Sequence, residues 1–365
     1  MSDSENSKGT ILFIHHEFDN LYVNKESGLF IEHYASKNYD IRFIVPNNHY
    51  EEANENWSPQ FKLLPLKKDY LDWDQIRDLI DSLKEKLKCV WIYMNSGIYK
   101  KMIPYITEKN IQSVVHMDAY AINTRKFIFP FHSTSKTMAK ASVVLCQSPR
   151  MIKNFLSPKV KKKCVLYPNS FNGAKIKFKK EDVTKEKVLL YSGRLFHQKG
   201  ADLLLEAFMR ICSKIPEWRL EFVGTFTDQK YVNQLKDKVN TNEMNERVHI
   251  QPALSGEAYY KKIASASIMV VPSREEGQTN VLMEAMHLNT AVIASSGCLV
   301  HYLLNNGECG LIYDVNHAQA LDEALLEMIN NENKRLKFIK TARERQNELF
   351  DFEKNFSELT KRLEL

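Results

Sequence analysis

Two carboxylates, Glu276 and Glu284, stand eight residues apart in the stretch REEGQTNVLMEAM. Glu276 sits beside Gly277 in what reads as a loop. Glu284 lies in a helical pattern among Val281, Leu282, Met283, Ala285, Met286 and Leu288. A carboxylate on so apolar a helix is costly unless donors meet it. Helical side chains lean toward the N-terminus, so Glu284 is directed back toward the loop that holds Glu276. A ligand diol lying there would supply two donors, and the backbone N–H groups of Gly277, Gln278, Thr279 and Asn280 could bind hydroxyl or phosphate oxygens. A structural arginine or backbone amides would satisfy Glu284 equally well, with Glu276 then a surface charge. Upstream, GRLFHQKG places Arg194 and Lys199 five residues apart, with Gly193 turning the backbone and Gly200 preceding a helix. Arg offers a planar fork and Lys a mobile point charge, a pair suited to clamping a diphosphate. Fixed cations of this kind stabilise charge that develops on a leaving diphosphate.

The elements that must position these groups are legible as apolar runs. The first half reads as strands at 11–16, 41–45, 90–94, 113–117, 142–146 and 165–168, and the second at 187–192, 219–224, 248–252, 267–272, 291–295 and 310–313. Continuous apolar runs indicate strands covered on both faces. Alternation with helices indicates parallel, doubly wound α/β sheets. At 365 residues the chain has room for two such domains, with the boundary between Asn169 and Glu186 where the apolar pattern fades. The expected organisation is an N-terminal Rossmann-like domain over 1–169, a second over 170–349, and an amphipathic helix in 350–365 joining the first. Ligands of such sheets bind beyond the carboxyl ends of the strands. With two facing domains, the expected site is the cleft between them.

In order and spacing, GRL…QKGADLLLEA, VPSREEG…VLMEAM and LYPNSFN resemble the retaining glycosyltransferases of family 4, which have the GT-B fold. The resemblance covers most of the second half and is thin in the first. It implies that Arg194 and Lys199 hold a donor diphosphate, that Glu284 binds the ribose hydroxyls and that Glu276 contacts the donor sugar, with amides of Gly277 to Asn280 supporting it. It further implies that His116, at the end of the 113–117 run, lies near the sugar at the reacting face. Gly28 would let a first-domain loop approach the phosphates. The implied donor is a nucleotide-sugar, UDP-linked rather than GDP-linked. The implied acceptor is a glycan or lipid-linked precursor of a surface polysaccharide, and no metal or other cofactor is implied. The sequence departs from the family at Gln278 and Thr279, where Gly-Phe-Gly is common, at Pro252–Ala253 in the base-binding loop, and at His301. Rival readings are a GT-B-fold sugar-nucleotide epimerase that uses the same nucleotide cleft, a non-catalytic partner subunit that keeps the fold, and a DNA-modifying transferase suggested by the basic stretch.

Composition fits this frame. Hydrophobic residues make up 44% and charged residues 26%, an ordinary soluble balance. Six scattered cysteines without CxxC spacing read as reduced and mostly buried thiols. The polar N-terminus and the absence of a long apolar run lead to the expectation of a cytoplasmic protein, at most peripheral at the inner membrane face. Net charge is +6, and nine lysines with no acidic residue fall within 151–180. That stretch could face anionic lipid, nucleic acid or a phosphorylated substrate, but a solvated linker is the commoner use of lysines. DWD at 72–74 imitates a metal motif, but it stands just before the helical stretch 75–88, where capping explains it better. His15 and His16 lack a third ligand at zinc spacing. Phe127, Phe129 and Phe131 alternate with basic residues and are expected in the core ahead of an acceptor-binding or membrane-touching loop.

Overall fold

The apolar runs become strands of two parallel sheets. A computed structural model describes residues 7–14, 26–48, 61–93, 97–117, 133–168, 173, 176–317, 319–349 and 352–365. The chain divides into two units, Met1–Ser170 with Asp351–Leu365, and Phe171–Phe350.

The first unit holds β1 (Thr10–Ile14), β2 (Asp40–Val45), β3 (Lys62–Pro65), β4 (Leu87–Tyr93), β5 (Gln112–His116), β6 (Val143–Cys146) and β7 (Cys164–Leu166), in the spatial order β3-β2-β1-β4-β5-β6-β7. Strand β3 is missing from the sequence reading. Its four residues KLLP are exposed or half-buried and stand at the sheet edge, where two leucines alone make a weak signal. On one face Phe13, Trp91 and Val114 pack with Phe30 and Tyr34 and with Phe356, Leu359 and Leu363 of the helix Phe352–Leu363. The C-terminal segment thus completes the first core, and Phe30 meets Phe356 edge-on with centroids 5.2 Å apart. The helix after β3 is shorter than the 75–88 pattern predicts. It spans Trp73–Leu83, because Lys84–Lys86 turn and β4 begins at Leu87. Asp72 caps it, accepting from Gln75 N at 3.1 Å, which accounts for the DWD motif.

The second unit holds β8 (Glu186–Ser192), β9 (Arg219–Gly224), β10 (Val248–Pro252), β11 (Ala266–Val271), β12 (Ala291–Ser295) and β13 (Leu311–Tyr313), ordered β10-β9-β8-β11-β12-β13. All pairings are parallel. Alternate residues of these strands feed two cores. Leu189, Leu220, Phe222 and Ile268 pack with Leu204 and Phe208 on one face, and Leu190, Val223, Met269 and Val292 pack with Leu282, Met286 and Ala342 on the other. This two-sided burial is why the runs read as continuous rather than alternating.

All six cysteines are free thiols, five of them buried. Among the described residues no helix is long and apolar enough to cross a membrane. The lysine stretch is divided: Lys153, Lys159, Lys161 and Lys162 are exposed on the first unit, while Lys177 and Lys179 are exposed on the second. Lys180 is not simply solvated, since its Nζ donates to the His287 carbonyl at 2.6 Å. Lys175, His15, His16, Phe127, Phe129 and Phe131 lie outside the described residues.

Candidate functional site

In the second sheet the strand order reverses between β8 and β11, which are direct neighbours. Such a switch point opens a crevice beyond the carboxyl ends of the two strands. Arg194 and Lys199 follow β8, and Ser273 to Glu276 follow β11. The two loops meet closely. Gly200 has φ +70, and a Cβ there would stand 2.1 Å from the Pro272 carbonyl oxygen, so only glycine fits. Gly297, after β12, likewise leaves room for the Arg274 carbonyl oxygen, which a Cβ would approach to 2.2 Å.

Lys199 and Glu276 are brought together. The ammonium pairs with Glu276 Oε1, and the Ser273 hydroxyl donates to Glu276 Oε2 at 2.7 Å. The Glu276 backbone is pinned on both sides: its N–H donates to Gly297 O at 3.1 Å, and its carbonyl accepts from Leu299 N at 3.1 Å. Arg194 is exposed, and its guanidinium lies over Phe196, 5.1 Å from the ring centroid. Its carbonyl accepts from the Tyr191 hydroxyl at 2.7 Å. Burial, with the Glu276 charge adding to it, pushes the Tyr191 hydroxyl well up, so it stays a neutral donor.

The helix that carries Glu284 spans Asn280–His287, with Thr279 at its N-cap in extended backbone and no side-chain cap bond. Gln278 and Thr279 are buried, and Gly277 and Asn280 are half-buried. Glu284 is half-buried, and one donor it needs comes from the protein: Tyr259 donates to its Oε2 at 2.6 Å, and Ser192 at the end of β8 donates to Tyr259 at 3.4 Å. Burial and the Glu284 charge together push the Tyr259 hydroxyl well up, which keeps its proton on the phenol.

The first-unit residues have different settings. His116 ends β5, is 4% exposed and stacks on Tyr93 with centroids 4.7 Å apart, with Phe30 edge-on at 6.2 Å. It is a histidine packed among aromatics at a strand end. Gly28 falls in the helix Glu26–Ser36 rather than in the loop expected for it. The helix begins there because Leu29, Phe30 and Ile31 are drawn into the core.

Sequence reasoning did not single out Tyr259, Tyr191, Ser273, or the pair Arg274 and Asp202. Arg274 makes a two-pronged bond to Asp202, at 2.8 and 2.7 Å. Both residues lie inside the quoted motifs, but their partnership spans 72 positions.

Residues 173–345 match the family described as Glycosyl transferases group 1. That match falls within the second unit. An uncharacterized glycosyltransferase of Haemophilus influenzae is 29% identical over 150 residues, covering 40% of this chain and 40% of that relative. The capsular polysaccharide biosynthesis glycosyltransferase CapM of Staphylococcus aureus is 22% identical over 330 residues, covering 84% of each chain. Among solved structures, Anabaena Alr3699/HepE in complex with UDP superposes with a TM-score of 0.75 over 97% of this chain and 99% of that one, at 14% identity. At that identity the likeness speaks for the fold: two Rossmann-like sheets in one chain, the GT-B fold. The matched span includes every second-unit candidate residue, Lys199, Glu276 and Glu284 among them.

Proposed function

We propose that the protein is a retaining glycosyltransferase that moves a sugar from a UDP-sugar to a glycan or lipid-linked acceptor in surface polysaccharide synthesis. The observation that carries this reading is the pairing of Lys199 with Glu276 across the switch point, with Glu284 on the helix that follows held by Tyr259. Lys199 and Arg194 take the charge of the departing diphosphate, so cations rather than a metal ion stabilise the leaving group. Glu284, held by Tyr259, accepts from the ribose hydroxyls. Glu276 contacts the donor sugar once the phosphates draw Lys199 toward them, and the amides of Gly277 to Asn280 support it. The assignments of His116 to the reacting face and of Gly28 to the phosphate side rest on the family resemblance alone. The UDP in the Anabaena structure supports the choice of nucleotide, and the part of CapM in capsular polysaccharide biosynthesis supports the choice of acceptor.

A calorimetric screen of UDP, GDP and their sugars against the full chain tests the reading. UDP is expected to bind, and UDP release is expected only when an acceptor is present. Proton NMR of the product is expected to show the donor's anomeric configuration retained. Inverted product would end the retaining assignment, and interconversion of the donor alone would replace transfer with epimerisation.

A further inference from the structure

Lys199 and Glu276 come from loops 77 positions apart, and two flexible side chains keep one geometry only if their backbones are held. Arg274, two residues before Glu276, does this from one side. Its guanidinium takes both oxygens of Asp202, at 2.8 and 2.7 Å, and Nη1 also donates to the His197 carbonyl at 2.6 Å. Its backbone N–H donates to Gln198 O at 2.9 Å, and the Gln198 amide returns a bond to Glu275 O at 2.9 Å. Asp202 is fixed in turn: Tyr231 donates to its Oδ1 at 2.7 Å, and the Asp202 N–H donates to the Tyr231 oxygen at 2.9 Å. The pair is half-buried, so its fork geometry is less screened than that of a surface pair. Although burial works to raise it, the bonds from Arg274 and Tyr231 hold the Asp202 carboxyl below the usual carboxylate range.

We propose that Arg274, anchored by Asp202 and Tyr231, is a positioning residue that sets Lys199 against Glu276 for the donor diphosphate. Its role in turnover rests on the reading given above. Arg274 touches the other loop, not the diphosphate, and acts through Lys199. Arg274→Ala is therefore expected to lower kcat/KM for the UDP-sugar by about 10- to 100-fold. In a Lys199→Ala background the same change is expected to cost less than about twofold, because the group it positions is gone. Arg274→Lys keeps the charge but loses the fork, and Tyr231→Phe loosens Asp202. Both are expected to fall between wild type and Arg274→Ala, and both serve if the alanine variant does not fold.

A second measurement needs no nucleotide. Acetylation of lysines, read by peptide mass spectrometry on the intact chain, is expected to rise several-fold at Lys199 in these variants. Labelling of Lys262, paired with Glu221 elsewhere in the same unit, is expected to stay constant. Equal losses of kcat/KM in both backgrounds, or unchanged Lys199 labelling, would overturn the proposal. A wild-type chain that binds no nucleotide sugar, yet shows the Lys199 labelling change, would instead remove the glycosyltransferase reading and leave the clamp standing.

Discussion

The Tyr259 hydroxyl donates to Glu284 Oε2 at 2.6 Å and so ties the helix Gly256–Ser265 to the helix Asn280–His287. A half-buried carboxylate that loses such a donor is left under-satisfied and free to change rotamer. Tyr259→Phe is expected to weaken UDP binding by about 1–3 kcal/mol, measured by titration calorimetry. Unchanged affinity would mean that Glu284 is oriented by other partners.

On the proposed reading, Lys199 takes the charge of the departing diphosphate. Lys199→Ala is expected to remove about 2–4 kcal/mol of transition-state stabilisation, read as a fall in kcat/KM. Lys199→Arg keeps the charge but brings a wider, planar head, and is expected to recover only part of the loss. Wild-type kinetics in the alanine variant would rule out the clamp.

Lys185 gives a pH signature. The residue as a whole is exposed, but its ammonium is part-buried and donates to Ala266 O and Thr290 Oγ1 at 2.9 Å each. Burial lowers its pKa from 10.5 to about 7. The folded state therefore binds fewer protons than the unfolded state between about pH 7 and 10.5. The penalty for the buried charge is fully present below that window and fades as pH rises through it. Compared with Lys185→Met, the wild type is expected to gain stability from pH 7 to pH 10 in denaturant titrations. A pH-independent difference between the two would show that the ammonium is solvated.

Leu359 is fully buried in the first-unit core, although it lies more than 300 positions after β1 in the chain. Leu359→Ala is expected to destabilise that unit by about 2–5 kcal/mol. Two units can unfold separately, so a calorimetric scan is expected to move one transition and leave that of the second unit in place. A shift of the second transition alone would contradict the packing of this helix.

Much of the second unit was legible because central strands such as β11 and β12 are buried on both faces, which writes them as unbroken apolar runs. All six appear within a residue or two of their expected limits, from Glu186–Ser192 to Leu311–Tyr313. Edge strand β3 was not legible, because two half-buried leucines between Lys62 and Pro65 make too short a run. Glu284 drew attention as a charge out of place on an apolar helix, and that anomaly pointed to a real need for a donor. Gly28 misled, since a glycine after a strand reads as a loop, whereas Leu29, Phe30 and Ile31 pull its segment into a helix.

By itself, the amino-acid order determined the two doubly wound halves, the turn glycines and the candidate charges, since these depend on local hydrophobicity and on residue type. Only tertiary structure decided who meets whom. Strand order sets β8 beside β11 rather than beside β10, and that neighbourhood puts Lys199 on Glu276 and Arg274 on Asp202. Pairings across more than 70 positions follow from how the sheet is wound, which no spacing along the chain records.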